Sequence, residues 1–152
     1  MASAEPAVSK VSEDVQHEHQ QLIERLQKLD RALDALVCYS EVYADLGSSA
    51  EIVQQGRWLA GWLPGHFVRE EETMLAPLAR LGPDFAAFAR EMKLQHQEIG
   101  RGVEAFCRAA SRLRRAEDLQ QSICDLKDQG KRLTSTMAAH LGAEERKFAA
   151  IK

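Results

Sequence analysis

The stretch Leu59–Leu78, LAGWLPGHFVREEETMLAPL, decides the fold. Leu59, Leu63, Phe67, Met74 and Leu78 recur at four- and seven-residue steps, the spacing of one face of an α-helix. His66 follows Leu63 by three residues and Glu70 follows His66 by four, so an imidazole and a carboxylate project from that same apolar face. An ionised carboxylate among apolar side chains is costly unless positive charge or donors meet it. Pro64 and Gly65 break the pattern and predict a kink or irregular turn there. Pro77 predicts a second irregularity in the last turn.

The same arrangement recurs once. His140 follows Leu133 and Met137 and is itself followed by Glu144 and Glu145, as His66 is by Glu70 and Glu71. Two other helical segments each carry one inward histidine. His19 lies three residues before Leu22, and His96 four after Met92 and three before Ile99. The lone His precedes its HxxxEE by 47 residues in the first half and by 44 in the second, a crude internal repeat. A single HxxxE is ordinarily a solvated i,i+4 pair; two on inward stripes, each matched by a lone inward His, are not. His17 lies about 200° around the helix from His19 and should face water. Glu71 and Glu145 read as outer or surface acids, and Glu72 as solvated.

The remaining chain is helical by pattern. A first segment starts at Ser12, a suitable N-cap, and carries Leu22, Ile23, Leu26, Leu29, Leu33, Leu36 and Val37 to a turn at Gly47-Ser48-Ser49. The second runs from about Ala50 to Ala79 and stops at Gly82-Pro83, with Asp84 placed to cap the next. The third covers Phe85 to about Arg115. The fourth starts near Glu117-Asp118 and carries Ile123, Leu126, Leu133, Met137, Leu141 and Phe148. Together they predict an all-α, up-down-up-down antiparallel four-helix bundle over residues 12–152, behind a flexible tail of residues 1–11. The midpoint of His66 and His96 is residue 81, beside Gly82-Pro83, and that of His96 and His140 is residue 118, beside the next turn, so these three share a level. The midpoint of His19 and His66 falls between Val42 and Tyr43, short of the Gly-Ser-Ser turn. Either the first helix ends early, around Tyr39 to Tyr43, or the Pro64-Gly65 irregularity absorbs the offset.

Bulk properties narrow the function. A chain of 152 residues fits one domain. A net charge of −3 with mixed signs gives no footprint for nucleic acid or an anionic membrane. No apolar run approaches the ~20 residues of a membrane span, and the start has no apolar signal region. Cys38, Cys107 and Cys124 are far apart with no CxxC pair, which reads as reduced thiols in a cytoplasmic protein. Trp58 and Trp62, four apart, should pack on a neighbouring helix or a subunit interface, which leaves a homodimer open. Tyr39 and Tyr43 read as core or rim packing, and Arg112, Arg114 and Arg115 as a solvated patch at a helix C-terminus.

Four neutral imidazoles and two carboxylates in one layer need a cation to justify their burial. Two metal ions ~3.5–4 Å apart sharing carboxylates would do so. Histidine and carboxylate without cysteine suit iron, or secondarily manganese, more than structural zinc.

At this point the sequence resembles the haemerythrin-like, HHE cation-binding family over roughly Val11 to Ile151. The resemblance rests on HEHQQLIERL (17–26), LPGHFVREEETMLAPL (63–78), LQHQEIGRGVEAF (94–106) and HLGAEERKF (140–148). It implies two non-haem iron ions with an oxo or hydroxo bridge, His19 and His66 on one, His96 and His140 on the other, and Glu70 and Glu144 bridging. One position departs from the family's oxygen carriers, which have a second histidine four residues before the one matched by His96. Here that place holds Met92, a poor ligand for ferric iron. The carriers' spacing in the last helix would also select Glu145, whereas single-domain relatives use the four-residue spacing of Glu144. The resemblance therefore implies an iron with an extra open position. The readings are a sensor of, or reactant with, O₂, NO or peroxide; a catalase- or peroxidase-like enzyme; or a metal-free helical interaction module.

Overall fold

A computed structural model of the chain describes residues 5–36, 46–113 and 119–150. Its elements are α1 (Glu5–Asp34), α2 (Leu46–Glu70), a π turn (Glu71–Leu75), α3 (Ala76–Ala79), α4 (Pro83–Arg112) and α5 (Leu119–Ala149). α2, the π turn and α3 together make the second rod of an antiparallel up-down-up-down bundle. α1 packs on α2, α2 on α4, α4 on α5, and α5 closes the ring on α1. No described helix is long and apolar enough to cross a membrane.

The stripes read from the sequence form the core. Leu22, Leu26, Leu29 and Leu33 of α1 meet Leu59 and Leu63 of α2, Ile99, Val103 and Phe106 of α4, and Leu126, Leu133 and Met137 of α5. Each such side chain contributes roughly 1.5–3 kcal/mol by leaving water. Gly130 permits the close approach of α5: a Cβ there would lie 2.6 Å from Leu33 Cδ1 and 3.0 Å from Phe106 Cε2. Asp30 and Asp34 of α1 both accept from Lys131 Nζ, at 2.8 and 3.0 Å, which ties α1 to α5 along the surface. A second, smaller cluster of Leu75, Leu78, Ala89 and Met92 fills the far end, with Phe85, Phe88 and Phe148 against it. Between the two clusters lies a layer of polar side chains.

Several boundaries differ from expectation. α1 begins at Glu5, inside the segment read as a tail, because nothing in residues 5–12 breaks a helix once Pro6 sits in its first turn. It ends at Asp34, followed by a turn in which Lys127 Nζ donates to the Leu36 carbonyl at 2.9 Å. Gly47-Ser48-Ser49 lies in the first turn of α2 instead of ending the first helix. Asp84 sits in the first turn of α4, whose cap is Gly82 with φ 155°.

At Pro64-Gly65, where the sequence predicts a kink or irregular turn, the helical assignment continues without a break. α2 runs through both, with Ala60, Pro64 and Gly65 exposed so that water can take the carbonyl that proline leaves unbonded. The irregularity falls instead in front of Pro77. Its ring would strike the Thr73 carbonyl in a regular α-helix. The π turn widens the backbone there, with Ala76 N–H donating to the Glu71 carbonyl. Cys38, Tyr39, Tyr43, Arg114 and Arg115 lie outside the described residues. Cys124 is buried and Cys107 half-buried, as small helix residues.

Candidate metal centre

The polar layer contains His19 of α1, His66 and Glu70 of α2, His96 of α4, and His140 and Glu144 of α5, none more than 4 % exposed. All six residues named from the sequence come together. Glu70 and Glu144 sit at the centre because each lies one helical turn beyond an inward histidine. Glu70 faces both ways. Its Oε2 is 2.8 Å from His19 Nε2 and 3.2 Å from His66 Nε2, while its Oε1 is 3.1 Å from His96 Nε2. Glu144 does the same from the opposite side: Oε1 contacts His140 Nε2 and lies 3.5 Å from His96 Nε2, and Oε2 is 3.7 Å from His19 Nε2. The side chains thus form two donor sets, His19 with His66 and Glu70, and His96 with His140, Glu70 and Glu144.

Three of the imidazoles are aimed from outside. His66 Nδ1–H donates to Glu18 of α1, whose carboxylate also accepts from Arg69 Nε and Nη2 at 3.0 and 2.9 Å. His96 Nδ1–H donates to Glu71 Oε1 at 2.9 Å, and His140 Nδ1–H to Gln95 Oε1 at 2.7 Å. An acceptor on Nδ1 fixes the tautomer and leaves Nε2 as the inward ligand atom. Glu71 is therefore an outer partner of His96, as its sequence position suggested. Glu18 and Gln95 were missed; the available signal was that each immediately precedes the lone histidine of its half. His17, Glu72 and Glu145 are exposed and stand apart from the layer.

Without a cation the layer is frustrated. Burial pushes the Glu70 carboxyl upward, but donors on His19, His66 and His96 outweigh it and hold the group well below the usual carboxylate range. Burial, reinforced by the Glu70 charge, pushes Glu144 up to about 9. Burial opposes charge on His96, yet Glu144, Glu70 and Glu71 raise it to about 10. Burial and the His96 charge drop His140 to about 3. One strain remains: Glu144 Oε2 is buried with no hydrogen-bond partner. The charged His96 is held against neutral His140, its Nε2–H donating to the bare His140 Nε2 at 3.1 Å. Cations held between the nitrogens and carboxylates would replace that proton and give the orphaned oxygen a partner, so the donor set fits a metal centre.

A helical bundle with an inward His/Glu layer of this kind defines a class of cation-binding proteins. The sequence model of the hemerythrin HHE cation-binding domain matches residues 10–151, and the chain belongs to that family. No curated protein and no solved structure matches it.

Proposed function

We propose that the chain is a non-haem di-iron protein that reacts with or senses a small oxidant, O₂, NO or peroxide, at an open iron position. His19 and His66 would hold one iron, His96 and His140 the other, with Glu70 and Glu144 bridging. The two donor sets, with Glu70 common to both, support that division. Iron is favoured over manganese by the four nitrogens among six ligands. Bound iron supplies Lewis acidity and one-electron redox chemistry.

The observation that carries the reading is Met92. It is buried one helical turn before His96, packed with Leu75, Leu78 and Ala89. Where the family's oxygen carriers place another imidazole, this chain places a thioether in an apolar cluster, which leaves the His96 side one ligand short. All six ligands are almost fully buried, which restricts access to small ligands. Three cysteines without a CxxC pair suit a reducing, cytoplasmic setting.

The test is metal analysis of protein purified without chelator, followed by titration of the ferric form with azide. Two irons per chain and a saturable azide-to-iron band are expected. Well under one iron per chain, or full iron with no azide response, refutes the proposal. A peroxide-consuming enzyme is the second reading, and a ring stack against His66 favours it over a passive sensor.

A further inference from the structure

α2 carries three stacked rings, the ligand His66 and two tryptophans that pack against the edge of the core without belonging to the ligand set. His66 stacks on Trp62 with centroids 4.8 Å apart and planes 10° from parallel. Trp62 stacks on Trp58 at 4.8 Å and 18°. The i, i+4, i+8 spacing lines the rings up along the helix. They pass from a ligand that is 1 % exposed to two half-buried indoles. Arg25 closes the outer end, its guanidinium carbon 4.6 Å from the Trp58 ring. The other flat stack on a ligand histidine is different in kind. Phe67 lies 4.0 Å from His96 but is buried and far harder to oxidise than indole.

This arrangement answers a difficulty in the peroxide reading. Reducing hydrogen peroxide to two waters consumes two electrons and two protons. The centre admits peroxide but is too enclosed for an organic reductant to touch it. We propose that Trp62 and Trp58 form an electron relay that lets a small anionic one-electron donor of the ascorbate type reduce the oxidised centre from the protein surface. An electron passes from Trp62 through the His66 ring to the centre, Trp58 refills Trp62, and the donor refills Trp58. Each ascorbate monoanion gives up one electron and one proton. The balance is one H₂O₂ and two ascorbate anions to two H₂O and two ascorbyl radical anions. The Arg25 charge makes Trp58 harder to oxidise while the surface is empty. An anionic donor both binds to that charge and offsets it, which selects anions over neutral donors.

The inference rests on the proposed peroxide-reactive iron pair, and its test separates the two. Iron-loaded full-length protein is treated with hydrogen peroxide without donor, and oxidised residues are located by peptide mass mapping. Oxygen addition is expected at Trp58 and Trp62, absent from metal-free protein treated alike and suppressed by ascorbate. In Trp62→Phe, which keeps an aromatic ring in the stack, oxidation of Trp58 and the rate of ascorbate loss should both fall at least several-fold at unchanged iron content. Trp62→Tyr, oxidisable again, should restore much of both. Trp58 oxidation and ascorbate loss unchanged in Trp62→Phe, with iron bound and peroxide consumed, would overturn the relay alone. A fall in Trp62→Tyr as large as that in Trp62→Phe would overturn it too. A chain that binds no iron, or binds it and leaves peroxide intact, overturns the peroxide reading and the relay with it.

Discussion

Replacing Glu144 by glutamine should reverse sign with metal content. Glu144 is fully buried, one of its oxygens has no partner, and its carboxyl is pushed up to about 9. In the unfolded chain the same group ionises near ~4.3. Between those values the metal-free fold must keep a proton that the unfolded chain releases. The resulting penalty is absent below the unfolded value, grows as pH rises, and levels off at the folded one. Glutamine has nearly the same shape and no charge to suppress. At neutral pH the linkage penalty removed is on the order of a few kcal/mol, part of which the amide's own unpartnered atom gives back, for a net gain of about 1–3 kcal/mol, or several degrees in Tm for a domain of this size. With iron the order inverts. A carboxylate of the His96 and His140 donor set becomes a neutral amide, and the stabilisation by ligand, about 2.7 kcal/mol at a hundredfold excess over Kd, largely disappears. Urea denaturation of both proteins, with chelator and with ferrous iron under anaerobic conditions, reads all four states. The expected order is the variant above wild type without metal and wild type above the variant with it. A metal-free variant less stable than wild type at pH 7, or one that loads two irons as well, would refute the reasoning.

Three further outcomes follow from particular contacts. Met92→His places an imidazole one turn before His96 in a pocket of similar volume. Iron content should hold while the azide response on the ferric form weakens, and an unchanged titration would count against the open position. Glu18→Ala strips the acceptor from His66 Nδ1 and leaves Arg69 unpaired. Losing an outer partner of a ligand histidine typically costs 10–100-fold in metal affinity, measurable by competition with a chromophoric chelator. Gly130→Ala sets a gain of up to ~1 kcal/mol in helix propensity against a methyl 2.6 Å from Leu33 Cδ1. Leu33 is wholly buried and cannot swing away. Overpacking of about 1–3 kcal/mol should win, and a variant at least as stable as wild type in urea would contradict the packing.

The inward stripes were legible because helical periodicity fixes which side chains share a face whatever the tertiary detail. Leu22, Leu26, Leu29 and Leu33, or Ile99, Val103 and Phe106, had no other side to be on. The six residues of the layer were legible for the same reason, aided by their duplication. Pro64 and Pro77 are alike in local setting, each exposed beside a buried leucine, yet α2 stays helical through Pro64 while the backbone widens into the π turn before Pro77. Local sequence does not distinguish these two ways of accommodating a proline ring. The end of α1 at Asp34 could not be placed either, since no glycine or proline marks it and Ala35, Leu36 and Val37 continue the pattern.

Glu18 and Gln95 escaped notice for a different reason. A residue one position before an inward histidine lies about 100° off the stripe, at the seam between two helices, where sequence alone reads it as solvated. Yet the seam is where the next histidine's back edge must lie. An imidazole that aims Nε2 at the bundle axis presents Nδ1 to the neighbouring helix, and the acceptor within reach sits beside that neighbour's own ligand. Glu18 beside His19 therefore serves His66, 48 residues on, and Gln95 beside His96 serves His140, 45 residues on. The outer acceptors thus repeat with the ligands because one geometry demands both. The two halves differ in charge, a carboxylate clamped by Arg69 behind His66 and a neutral amide behind His140. Of these two, the histidine with the carboxylate behind it is the one on which Trp62 stacks.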